Sequence, residues 1–118
     1  MTTDGQLGEW PEKPPRPQEL MAVITALVNN RAQIGFTQEA SEFLERNDLD
    51  SSDIVRGFRG GSVLGPVKPG EENEWECSVV APILGGRAKG RAITILTVVI
   101  QAKSLLVGRV SWVNERET

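Results

Sequence analysis

The side chains best able to do chemistry lie late in the chain. Residues 77–114 hold Arg87, Lys89, Arg91, Lys103 and Arg109 and no acid, a local charge of +5. Residues 1–76 carry seven basic and fourteen acidic groups. Guanidinium and ammonium groups on a strand suit the phosphates of RNA, because each neutralised phosphate releases counterions and such contacts carry affinity without sequence readout. Arg and Lys also hold the negative charge that develops when a phosphodiester is cut. Within this stretch Gly85-Gly86-Arg87-Ala88-Lys89-Gly90-Arg91 combines glycines, which let a backbone approach a phosphate, with cations that attract one. It is not a P-loop, since no Gly-Lys-Ser/Thr occurs and no helix is expected after it. The other reading is a basic hairpin loop that keeps a sheet edge soluble. Strand alternation puts Arg109 on one face with Leu105, Val107, Ser111 and Val113. There it either faces a phosphate or lays its stem on the sheet with its head in water.

Other chemistries are excluded by residue type. The chain has no histidine, no tyrosine and one cysteine among 118 residues. Imidazole acid–base catalysis, most zinc sites and an internal disulfide are therefore ruled out. No cofactor and no metal are expected. Asp48-Leu49-Asp50-Ser51-Ser52-Asp53 opens like a calcium loop, but Asp53 and Arg59 stand where Gly and Glu are required, so it reads as helix capping. Glu71, Glu72, Glu74 and Glu76 read as a solvated loop and strand edge. Cys77, Trp75 and Trp112 read as core or interface residues. The net charge of −3 removes an overall basic nucleic-acid binder and leaves a local basic face open. There is no basic-then-apolar leader, and Ala92 to Ile100 is far short of the ~20 apolar residues a spanning helix needs. A soluble cytoplasmic protein with no membrane association is expected.

These residues need elements to position them. Residues 1–17 hold four prolines and read as an extended arm that Trp10 could anchor. Residues 18–118 read as one domain. Leu20, Val23, Ile24, Leu27 and Val28 form a helical stripe starting near Pro17 or Gln18. Gln33 to Phe36 reads as an extended link. Thr37 N-caps a second helix bearing Ala40, Phe43 and Leu44. A third helix opens at Asp50 to Ser52, carries Ile54, Val55 and Phe58, and stops at Gly60-Gly61 with a left-handed cap. Strands follow: Ser62 to Val67 at an edge, Glu74 to Val80 with Trp75, Cys77 and Val79 on one face, Ala92 to Ile100, and Leu105 to Val113. Ala92 to Ile100 is apolar on both faces, as a strand covered on both sides is. The expected fold is α+β, with N-terminal helices packed on one face of a three- to four-stranded antiparallel sheet.

Phe36-Thr37-Gln38-Glu39-Ala40, Phe43-Leu44-Glu45-Arg46-Asn47, Asp53-Ile54-Val55 and Gly60-Gly61-Ser62-Val63, followed by a Gly-Arg turn and two Val-rich strands, carry a likeness. The pattern resembles an uncharacterised bacterial family related to the RelE-like, BrnT-like and MqsR-like toxins of toxin–antitoxin pairs. It spans about residues 20–113 in element order. The family has Phe-Thr-x-His-Ala at the helix start and a common Thr in its last strand; here Glu39 and Arg109 occupy those two positions. The resemblance implies a RelE/MqsR toxin-like fold and, from the family's chemistry, an antitoxin-like protein partner and RNA as a substrate class.

Three functions follow as expectations. The first is a toxin-like domain contacting RNA phosphates through Arg87, Lys89, Arg91 and Lys103. It would be a weak or degenerate metal-independent endoribonuclease if it cuts, with Arg109 stabilising charge and Glu39 the candidate general base. The second is a non-catalytic protein-interaction module. The third is a small-ligand binder using a pocket lined by Trp75, Phe43 and Phe58.

Overall fold

The computed structural model describes residues 15–70, 74–100 and 103–113. The expected proline-rich arm falls mostly outside them. Helix α1 (Pro17–Asn29) starts at a proline, and the backbone N–H of Arg16 donates to the Glu19 carboxylate at 2.9 Å. Its stripe of Leu20, Ile24 and Val28 is buried. Strand β1 (Gln33–Phe36) leads into α2 (Gln38–Arg46), whose N-cap is Thr37. Helix α3 (Ser51–Gly60) is capped by Asp50, whose carboxylate accepts from the N–H groups of Ser52 at 3.0 Å and Asp53 at 3.3 Å. Strands β2 (Ser62–Pro69), β3 (Glu74–Pro82), β4 (Ala92–Ile100) and β5 (Ser104–Trp112) complete the chain.

The fold is α+β, three helices on a five-stranded mixed sheet in the order β1-β5-β4-β3-β2. The sheet has one strand more than expected. Gln33–Phe36, read from sequence as a link, pairs parallel with β5, Gln33 opposite Ser104 and Phe36 opposite Val107. Every other pairing is antiparallel. The edge position of β2 tolerates Pro66, and a register shift between Leu64 and Lys68 accompanies Gly65 at φ +81°.

Alternation divides the sheet into two unlike faces. Trp75, Cys77, Val79 and Ala81 on β3, Ile93, Ile95, Thr97 and Val99 on β4, and Leu105, Val107 and Val110 on β5 are buried with Leu20, Ile24, Ala40, Leu44, Ile54 and Phe58 of the helices. The opposite face is only partly covered, and among the described residues no helix packs on it. Among the described residues, helices give β4 the expected cover on one side only.

Two local expectations are corrected. Helix α3 does not end in a left-handed glycine, since Gly61 has φ −94° and ψ 178°, an extended conformation. Glycine is needed there for space. A Cβ on Gly61 would stand 2.8 Å from Val79 Cγ1, 2.9 Å from the Gly57 carbonyl and 3.0 Å from the Val80 carbonyl. Arg109 does not share a face with Leu105 and Val107. Leu96 pairs with Arg109 while Thr97 pairs with Val107, so Gly108 is an extra residue, a bulge that reverses the alternation beyond it. Val110 is thereby turned into the core, and Arg109 and Ser111 are turned out.

Candidate functional site

The bulge brings the two candidate catalytic residues together. Thr37 is the clamp. Its backbone N–H donates to the Val107 carbonyl at 3.0 Å, and its hydroxyl donates to the Gly108 carbonyl at 2.7 Å. The same hydroxyl accepts from the Ala40 N–H, which makes it the cap of α2. One side chain thus ties the helix start to the kinked strand. Glu39, in the first turn of α2, meets Arg109 with Oε2 3.0 Å from Nε. The side chains are 62% and 63% exposed, so water screens the pair and its contribution is small. Each neutralises the other on an open surface.

The basic set is divided between the two ends of the sheet. Arg87, Lys89 and Arg91 lie in the β3–β4 connection. Lys103 lies in the β4–β5 turn, where its N–H donates to the Ile100 carbonyl at 2.9 Å. The nine residues of β4 separate these ends by about 30 Å. The structure does not gather the five cations on one face.

Around the β3–β4 connection the cations are tied to acids and to an aromatic ring. Helix α2 ends at Asn47, and Asp48 takes φ +61°, a left-handed position that Asp tolerates better than most residues. That turn presents the Asp48 carboxylate to Arg87 at 3.4 Å. Arg56 donates to the Ser52 hydroxyl at 3.1 Å, and that hydroxyl donates to Asp50 at 2.6 Å. The Arg91 guanidinium lies 3.8 Å from the ring centre of Trp112, a cation–π stack. The Trp112 indole N–H donates to Asn47 at 3.2 Å, and its ring sits 5.6 Å from that of Phe43. Asn47, Asp48 and Trp112 were not marked in sequence as partners of this segment. Trp112 and Asn47 are 65 positions apart, and nothing local signals their meeting. Gly86 and Gly90, at φ +76° and +94°, shape the connection between its cations.

The remaining candidates resolve more simply. Trp75 and Phe58 are buried in the core, and neither they nor Phe43 line the α1–β2 groove or the β2–β3 cleft. A groove of about 620 Å³ lies between α1 and β2 against Met21, Thr25, Ala26 and Val63. The Cys77 thiol is buried, and loss of solvation, with Glu76 beside it, pushes it up to about 12. Among the described residues no three His, Cys, Asp or Glu side chains converge as a metal site, and no helix is long and apolar enough to cross a membrane.

The open face of the sheet carries apolar side chains along its middle strands. Cross-strand partners share a face, so Leu64 and Ser78, Ser78 and Leu96, and Leu96 and Arg109 stand together on it. So do Val80 with Thr94, Glu76 with Val98, and Val98 with Leu106. Leu64, Val80, Leu96, Val98, Ile100 and Leu106 form its apolar centre, and Leu64 is 55% exposed. The sequence signal was the two-sided apolar character of β4, read there as cover on both sides.

The chain matches no protein-family model, no curated protein and no solved structure.

Proposed function

We propose that the chain is a non-catalytic protein-interaction module whose working surface is the open face of its sheet. The observation that carries this reading is the apolar centre of that face, on strands whose other side already forms the core. Val80, Leu96, Val98, Ile100 and Leu106 are half-buried by their strand neighbours, and among the described residues no helix covers them, so apolar surface beyond what the sheet itself buries is left for a partner. Contiguous apolar surface of this kind suits association.

The RNA reading has less support. Arg87 is bridged to Asp48 and Arg109 to Glu39, and Lys103 lies at the far end. The acids interleaved with the cations cancel the field a phosphate backbone would need. Glu39, which takes the position of the toxin family's histidine, spends its carboxylate on Arg109. A ribonuclease would need that pair separated and a further cation beside the scissile phosphate.

Two measurements test the proposal. In dilute solution Leu96→Gln/Val98→Gln should unfold in urea within about 1 kcal/mol of the native chain, because partly exposed groups packing on no neighbouring element lose little on becoming polar. A loss of about 3 kcal/mol or more would make the face part of the core and sink the reading. RNA anisotropy at two salt concentrations should show no salt-dependent affinity. Micromolar binding that weakens with salt and is lost in Arg87→Ala/Lys89→Ala/Arg91→Ala would restore the RNA function.

A further inference from the structure

The occupant of the open face follows from how its charges flank its apolar centre. β4 is the middle strand of five, with β5 on one side and β3 on the other. On β5 the face carries Arg109, at the level of Leu96. On β3 it carries Glu74 and Glu76, at the levels of Ile100 and Val98, and Lys68 of β2 stands beside Glu76. The β5 side thus carries one cation and the β3–β2 side two acids and one cation, with Arg109 and Glu76 two residues or about 7 Å apart along β4.

We infer that this face docks a second copy of the same chain, sheet against sheet, about a two-fold axis running along β4; the inference rests on the interaction-module reading above. A rotation about that axis turns the face over and exchanges left for right. It lays β4 on its own copy, β5 over β3 and β3 over β5. Arg109 of each copy then comes above Ser78, one side-chain step from Glu76. An arginine carries more donors than the Glu39 carboxylate takes, so it reaches Glu76 without giving up its own partner. A two-fold axis across the strands would instead lay β5 over β5 and β3 over β3, so that Arg109 faces β5 and Glu76 faces β3, and neither comes over the strand that carries the opposite charge.

Shape and area agree with this arrangement. Between β2 and β3 the face has a cleft of about 190 Å³ lined by Leu64, Pro66, Ser78 and Leu96, with Lys68 and Glu76 at one end. Leu106, on β5 at the level of Val98, is carried by the axis above Glu76 at the rim of this cleft. A knob and a hole related by one two-fold axis make a self-complementary contact. The face spans four strand spacings and nine residues, roughly 20 by 30 Å or about 600 Å² in projection. That is within the range of about 600–1,000 Å² per partner in specific interfaces. Aligned packing of two sheets is also a common way to close such a face.

Sedimentation of the full chain over a range of concentrations tests the inference. The native chain should move from 12.9 kDa toward twice that mass. Leu96→Lys should stay monomeric, and so should the milder Leu96→Gln/Val98→Gln, with helix and strand content unchanged by circular dichroism. Glu76→Arg alone and Arg109→Glu alone should each weaken the dimer about tenfold or more, and the two together should restore it. A native monomer at all concentrations overturns the inference; the dilute-solution unfolding test above then decides the module reading by itself. A Trp10→Ala chain that dimerises where the native chain does not assigns the face to the N-terminal segment and also overturns it. A dimer that survives Leu96→Lys, or single charge reversals without effect, places the contact elsewhere.

Discussion

Cys77 and Asp50 show how neighbours set the chemistry of single groups. Cys77 lies between Trp75 and Val79 on the buried face of β3, and its thiol is held up to about 12. Its thiolate fraction at pH 8 is negligible, so the folded chain should not react with an aromatic disulfide reagent. One equivalent should react in denaturant; rapid reaction of the native chain would contradict the burial. Asp50 is the opposite case. The Ser52 hydroxyl, then the N–H groups of Asp53 and Ser52, favour the carboxylate and hold it below its ordinary 3.8. A lowered folded-state value means that this stabilisation is complete above the ordinary value and is lost as pH falls through the lowered one. Acid titration of the native chain and of Asp50→Asn should therefore converge at low pH. At neutral pH Asp50→Ala should lower the urea midpoint, because it removes the side-chain cap of α3. At Gly61 the constraint is space. Gly61→Ala should destabilise by about 1–3 kcal/mol in urea unfolding, because one methyl meets Val79, Gly57 and Val80 together. A neutral result would mean that α3 does not approach β3 this closely.

At the scale of elements, the hinge of the design is the bulge at Gly108. It turns Val110 into the core and Arg109 out, and its carbonyl receives the Thr37 hydroxyl. Thr37→Ala removes both the α2 cap and this strand contact, and should cost about 2 kcal/mol. Thr37→Ser keeps both and should cost less than about half of that. Equal losses in the two variants would show that the methyl group matters and the hydroxyl does not. The exposed Arg109–Glu39 pair should be worth about 0.5 kcal/mol or less in a double-mutant cycle. Most of these elements are legible in sequence. The Leu20–Val28 stripe, the caps at Thr37 and Asp50, and the alternation of Trp75, Cys77 and Val79 each specify an element through near neighbours. Three features are not. Strand β1 has four residues, and its existence depends on a parallel partner 71 positions away. The bulge looks like uninterrupted alternation until the register with β4 is known. The Arg91–Trp112–Asn47 assembly joins three segments that are distant in the chain.

For the molecule as a whole, the informative fact is the asymmetry of cover. Among the described residues, the five strands carry helices on one face and half-buried apolar residues on the other. The sequence already contained this surface, because β4 is apolar at both parities. The same pattern fits a strand buried inside one chain and a strand buried between two, and only the positions of the helices separate those cases. The charge segregation along the sequence was legible as well, but its meaning changes in three dimensions. Lys103 leaves the cluster, while Asp48, Asp50 and Glu39 come in from the acidic half.

The central claim is that this face is open in the monomer and closed by association. Urea unfolding of the native chain and of Leu96→Gln/Val98→Gln, each from sub-micromolar to hundreds of micromolar protein, tests it in one series. Anything that binds only the folded form raises its stability by mass action. The native midpoint should rise with protein concentration, the variant midpoint should stay constant, and the two should meet within about 1 kcal/mol at the dilute end. A variant that is about 3 kcal/mol weaker at every concentration, or a native midpoint that does not move, would contradict the account.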